Sequence, residues 1–189
     1  GAGNYNVVNP SESREITSNV VQLSAIKLYD GTNIVDTDDT VSIVTSAGET
    51  LGFSGARTAD VNVNYANNYF THFTLENGTG PNAGLASNYD VPSFTHHPTN
   101  NSVTINQRNL RIKADNETKT YGSAATLNGA TGFSTVGPDD TYGLQNGETV
   151  GSVTLTASGG GELASANAGT YTITPSSVIG GTFDINNYD

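Results

Sequence analysis

The chain has 189 residues, room for one large domain or two small ones at the usual ~100 to 150 residues each. Only 13% of it is charged and 34% hydrophobic, and Thr (26), Asn (22), Gly (22) and Ser (17) fill the gap, residue types that favour turns and solvent-facing strand positions. With 7 Lys plus Arg against 18 Asp plus Glu and a net charge of -11, the chain lacks the gathered cations that nucleic acid or anionic lipid needs, and no apolar stretch approaches the ~20 residues of a membrane span.

Apolar residues alternate with Thr, Ser or Asn along most of the chain, the two-residue period of strands with one wet face. In chain order the expected strands are Val21 to Ile26, Val41 to Val44, Val61 to Tyr65, Phe70 to Leu75, Val103 to Ile105, Leu110 to Ala114, Val153 to Ala157, Tyr171 to Thr174 and Phe183 to Ile185. Asp30-Gly31, Asn77-Gly78, Asn128-Gly129 and Asn146-Gly147 interrupt them, with residues that tolerate the positive φ of tight turns. The one helical candidate is the Ala-rich run Gly161 to Ala168, too short to hold without packing on a sheet. There is no Cys, so stability cannot rest on cross-links. A chain opening Gly1-Ala2-Gly3 without Met reads as an excised fragment, so the absence of a leader in it decides nothing.

Short fragments recur at long, similar spacings. Gly3-Asn4-Tyr5-Asn6-Val7 matches Ser87-Asn88-Tyr89-Asp90-Val91 and Asn186-Asn187-Tyr188-Asp189, and Lys27-Leu28-Tyr29-Asp30-Gly31 matches Lys119-Thr120-Tyr121-Gly122. A fixed period marks a modular array. The expectation is all-β: two tandem small β-sandwich or β-grasp-like domains in an elongated arrangement. Residues 1–14 form the tail of a preceding repeat or a leading strand, 15–105 the first domain and 106–189 the second. Tyr29 and Tyr121, with Tyr89, Tyr171 and Tyr188 late in each unit, are expected to fill cores that lack Trp and Met.

These fragments resemble the YDG and MBG repeat domains of very large secreted bacterial proteins, notably filamentous-haemagglutinin-like adhesins. Lys27 to Thr32, closed by Leu85-Ala86-Ser87-Asn88-Tyr89, resembles a YDG unit. Lys119-Thr120-Tyr121-Gly122, Gly143 to Val150, Asn167 to Ile173 and Asn187-Tyr188 resemble an MBG unit. Glu148 stands where that family usually has Asp, and Tyr121-Gly122 lacks the Asp that Asp30 supplies. The resemblance implies a non-catalytic stalk module at the bacterial cell surface, spacing a binding region from the cell. Its partners would be neighbouring repeats of the same polypeptide, with a glycan or host surface engaged through other domains. A carbohydrate- or host-ligand-binding β module is the alternative.

No catalytic residue or cofactor site is expected. Gly52-Phe53-Ser54-Gly55-Ala56 lacks the closing Gly of a nucleophile elbow and reads as a strand end. Gly78 to Gly84 contains Pro81 and opens no helix, as a phosphate loop would. His72, His96 and His97 have no metal-ligand spacing. Two acidic clusters, Asp36-Thr37-Asp38-Asp39 and Asp139-Asp140, supply hard oxygen donors of the kind calcium takes. Asp36, Asp38, Asp39, Asp139 and Asp140 are therefore the calcium candidates, against the simpler reading as charged hairpin tips. Lys27 and Lys119 are two of three lysines and raise a Lys-Asn isopeptide cross-link, which needs a buried Lys against an Asn and a carboxylic acid.

Overall fold

The computed structural model describes residues 14–63, 67–137 and 142–189. The protein is mainly β, and among the described residues its helical content is three single 3-10 turns, at Ala86–Asn88, Ser158–Gly160 and Ile185–Asn187.

The strands are β1 (Asn19–Val20), β2 (Gln22–Leu28), β3 (Thr40–Val44), β4 (Gly52–Thr58), β5 (Phe70–Glu76), β6 (Tyr89–Asp90), β7 (Asn101–Asn106), β8 (Ile112–Ala114), β9 (Phe133–Thr135), β10 (Val150–Ala157) and β11 (Ile173–Gly181). β2 is central in a three-stranded sheet, antiparallel to β3 and parallel to β7, with rungs from Leu23↔Asn101 to Leu28↔Asn106. β4 and β5 form an antiparallel pair, and β1 runs parallel to β6. The second half repeats the plan. Arg108 bridges Tyr188 in parallel, β8 pairs with β9, and β10 with β11, both antiparallel.

The alternation along β2 explains the core. Val21, Leu23, Ala25 and Tyr29 point inward and are buried, and they meet Val103 and Ile105 of β7 and Phe70 and Phe73 of β5. Phe70 and Phe73 pack edge to face at 5.0 Å, and Phe53 stacks on Phe73 at 5.3 Å, geometries that add to area burial. Lys27 occupies an inward position in the same alternation and is 2% exposed. Its ammonium has three N-H donors, and it donates to Asp30 Oδ1 at 3.0 Å, Thr32 O at 3.2 Å and Ile34 O at 2.5 Å. Asp30 in turn accepts from Thr32 N at 2.8 Å, so the Asp30-Gly31 turn is built around the buried ammonium. The Lys27 partners are one carboxylate and two carbonyls, with no Asn, so the contacts a Lys-Asn cross-link needs do not form there.

Several expected elements differ. Val61 to Val63 form a bend, and Asn64 and Tyr65 lie outside the described residues. The Ala-rich run Gly161 to Ala168 makes turns in place of a helix, because Gly159 and Gly160 enter it at φ 58 and 68 and so short a run cannot cover the cost of nucleation. Phe183 to Ile185 turns into the last 3-10 segment, which Asp184 caps by accepting from Asn186 N. Gly52 to Ala56 runs inside β4, and the register shifts between Ser54 and Arg57, where Gly55 takes φ 62. The Gly3 to Val7 fragment lies outside the described residues.

Candidate functional site: the junction between the repeated halves

A connected polar cluster lies where the Tyr29-Asp30-Gly31 turn of the first half meets Gly143 to Glu148 and Asn186 to Asp189 of the second. Gln145 to Glu148 make a two-residue turn in which Asn146 and Gly147 take φ 48 and 71 and Glu148 N donates to Gln145 O at 2.8 Å, the type I′ geometry that Asn-Gly favours. This turn aims the Glu148 carboxylate back at two tyrosines. Tyr29 Oη donates to Oε1 at 2.9 Å, and Tyr188 Oη donates to Oε2. Gln145 N donates to Tyr188 Oη at 3.0 Å. The two rings pack edge to face, 5.4 Å apart at 79°.

Further bonds tie the halves. Arg108 is buried, and its Nε donates to Tyr29 O at 2.6 Å. Asn146 Nδ2 donates to Gly31 O at 2.7 Å. Asn187, 1% exposed, accepts from Val63 N at 2.8 Å and donates to Asn62 Oδ1 at 2.9 Å. Gly31 takes φ 72, and a Cβ there would collide with the Asn146 side-chain amide. Glycine is needed both for the backbone and for the close approach of the second half.

Burial, reinforced by the Glu148 carboxylate, pushes the Tyr29 hydroxyl up to about 12. The same two causes raise Tyr188. Each phenol is thus held as a neutral donor to a carboxylate, a paired arrangement of buried polar groups.

The first half holds a second copy of the motif. Glu49 follows Ala47-Gly48 as Glu148 follows Asn146-Gly147, and Glu49-Thr50-Leu51-Gly52 matches Glu148-Thr149-Val150-Gly151. Tyr89 Oη donates to Glu49 Oε2 at 2.7 Å, across the same 40-residue separation as Tyr188 and Glu148. The carboxylate of Glu49 raises the Tyr89 hydroxyl, with burial as the smaller cause. Both members of the pair recur 99 residues on. Among the described residues, nothing stands toward Glu49 as Tyr29 stands toward Glu148.

Sequence reasoning placed Tyr29, Tyr89 and Tyr188 in the core, and all three are buried. Their hydroxyls donate to the carboxylates of Glu148 and Glu49. Tyr121 is corrected outright, being 67% exposed, and Tyr171 is half-buried with its hydroxyl on Asn167 O at 2.9 Å. Glu49 and Arg108 were missed, although the 99-residue recurrence of Gly-Glu-Thr signals the first, and Asn187 was legible only as part of a recurring fragment.

The calcium candidates of the first cluster sit in the β2 to β3 connection. Asp36 Oδ1 accepts from Asp38 N at 3.0 Å and Asp39 Oδ2 accepts from Asp36 N at 3.2 Å, so these carboxylates brace a turn. Desolvation raises Asp39 above the usual carboxylate value. Asp139 and Asp140 lie outside the described residues. Among the described residues no group of three or more His, Cys, Asp or Glu converges as metal ligands do. His72 stacks on Phe94, and His97 Nδ1 contacts Thr99.

Compared with family models, curated proteins and solved structures, the chain matches none.

Proposed function

We propose that the protein is a non-catalytic extension module of a large bacterial surface adhesin, two units of a tandem array that spaces a binding region from the cell. The observation that carries this reading is the junction itself. The Tyr-Asp-Gly turn of one unit is received by the Asn-Gly-Glu turn of the next, and the receiving Glu-Tyr pair is repeated in the first unit. Such a contact is directional, so units that use it add end to end, as in other repeat arrays. Tyr121-Gly122, which matches Tyr29-Asp30-Gly31 in sequence without the Asp, supports the same reading. Tyr121 is exposed, and Gly122 has φ +90 with open space where a Cβ would point, a surface suited to the Asn-Gly-Glu turn of a following repeat. The likeness to YDG and MBG repeats agrees with it.

Small-angle scattering tests the reading. A compact 189-residue globule has a radius of gyration of about 16 Å. The stalk reading requires a maximum dimension well above that of such a globule, and a compact profile would remove it.

A further inference from the structure

The two halves differ in one strand and in the packing of the following hairpin, since β5 packs against β7 whereas β11 packs against β8. Val21 N donates to Asp90 O at 2.9 Å in the first half, and Leu110 N donates to Asp189 O at 2.7 Å in the second. Val21 therefore corresponds to Leu110, Leu23 to Ile112 and Ala25 to Ala114. β2 and β8 each carry an antiparallel neighbour on one side, β3 on β2 and β9 on β8. On its other side β2 takes β7 in parallel over six rungs. Among the described residues no strand pairs with β8 on that side.

A groove of about 880 Å³ lies there, lined among others by Ile112, Ala114, Leu127, Ala157, Tyr171 and Ile173. Its walls are under-covered compared with the first half. Leu23 and Ala25 are 0% and 4% exposed under β7, whose own Val103 and Ile105 are 3% and 0%, whereas Ile112 and Ala114 are only half-buried. An edge with open backbone groups is a template for another strand, and the trough beneath it is of mixed lining, with Lys113, Glu117, Lys119 and Glu162 beside the apolar residues.

The occupant can be read from the filled copy. Asn101, at the head of β7, is fully buried, accepts from Phe70 N at 2.8 Å and donates to Phe70 O at 3.1 Å. Phe70 pairs with Thr58 as Ile173 pairs with Ala157, and the next bonds match, Ala59 N to Tyr69 O and Ser158 N to Thr172 O, both 2.9 Å. Ile173 lines the groove, where an incoming Asn would meet it as Asn101 meets Phe70.

We propose that the groove of the second half is an acceptor for a parallel β-strand of the β7 type, Asn at its head and β-branched residues at alternate positions, contributed by a further repeat of the same kind. The inference deepens the tandem-array reading and rests on it for the origin of the strand, not for the existence of the slot.

In the first half Asp90 is joined to β7 by residues 91–100, so the test appends a copy of residues 91–107 after Asp189, making the donor intramolecular and effectively concentrated. A control carries aspartate in place of the valine and isoleucine copied from Val103 and Ile105. Hydrogen exchange is read at 112–119 and 171–173, together with thermal unfolding. The expected result is slowed exchange at both segments and a transition raised by at least about 5 °C with the wild-type extension only. A second arm uses the unmodified protein and the free peptide of residues 99–108, read by amide chemical shifts, with saturable perturbation expected at the same segments. Equal effects of both extensions, or none from extension and peptide alike, would overturn the proposal, as would protection of the groove by oligosaccharide but not by the strand. An elongated scattering profile with an empty groove would sink the slot alone, and a compact profile with strand capture the array alone.

Discussion

The bond from Tyr29 to Glu148 is the contact on which the coupling of the halves turns, and a double-mutant cycle isolates it. Tyr29→Phe removes one hydroxyl that donates to a carboxylate at 2.9 Å from a residue 4% exposed. A hydrogen bond to a charged group contributes about 1.5 to 3 kcal/mol, and about 2 kcal/mol is expected here because Glu148 is itself half-buried. Glu148→Gln weakens the bonds from both Tyr29 and Tyr188 and should cost more, about 3 kcal/mol. The two residues share one bond, so the double variant should fall short of the sum by about 1.5 kcal/mol. Tyr89→Phe with Glu49→Gln is the internal reference, a pair of the same geometry that lies within the first half. Urea unfolding, followed by tyrosine fluorescence and far-ultraviolet circular dichroism, gives the four corners of each cycle. Both cycles should show coupling, but only the Tyr29 and Glu148 variants should split the transition into two steps. A coupling below about 0.5 kcal/mol, within ordinary additivity, or the same splitting from the Tyr89 and Glu49 variants, would refute the reasoning.

Three further outcomes follow. Lys27→Met should cost about 3 kcal/mol, the low end for breaking a buried ion pair, since the Asp30 side chain is 37% exposed and can regain water; the urea midpoint should fall with an unchanged slope. Gly31→Ala should destabilise by at least about 1 kcal/mol through its positive φ and shift the Asn146 amide resonance, because the new Cβ meets that side chain. The Tyr29 hydroxyl is raised from 10.0 to about 12, so the native state holds this proton more tightly than the unfolded chain does. The stability this contributes is present in full below about pH 10 and lost as pH rises from 10 to about 12, a loss that Tyr29→Phe should reduce in a urea-midpoint profile against pH.

The mainly β character was legible because the period-two alternation of Val21, Leu23 and Ala25, or Val103 and Ile105, has one physical meaning. Strand β4 was obscured by Gly52 and Gly55, whose weak intrinsic preference is overridden by pairing with β5. Phe183 to Ile185 read as a strand because it alternates, yet the Asp184 cap draws the backbone into a 3-10 turn. At the junction, the tyrosines were legible as large rings that a small core would bury. Their partners were not, because Glu49 and Glu148 stand 40 residues before the tyrosines they receive and look like ordinary turn carboxylates. The burial of Lys27 in the inward row of β2 was not legible, since it depends on two carbonyls and a carboxylate that only the folded turn brings together. The exposure of Tyr121 was hidden by its likeness to Tyr29, which packs against Tyr188 and bonds to Glu148 of the second half.

The central claim is that consecutive units are locked to one another through the Tyr29, Glu148 and Tyr188 node. Residual dipolar couplings of backbone amides, fitted separately for residues 19–106 and 108–189, test it most directly. Wild type should fit a single alignment tensor for both halves, and the Tyr29→Phe, Glu148→Gln double variant should need two. Two tensors of different magnitude in the wild-type protein would show that the halves reorient independently and would contradict the account.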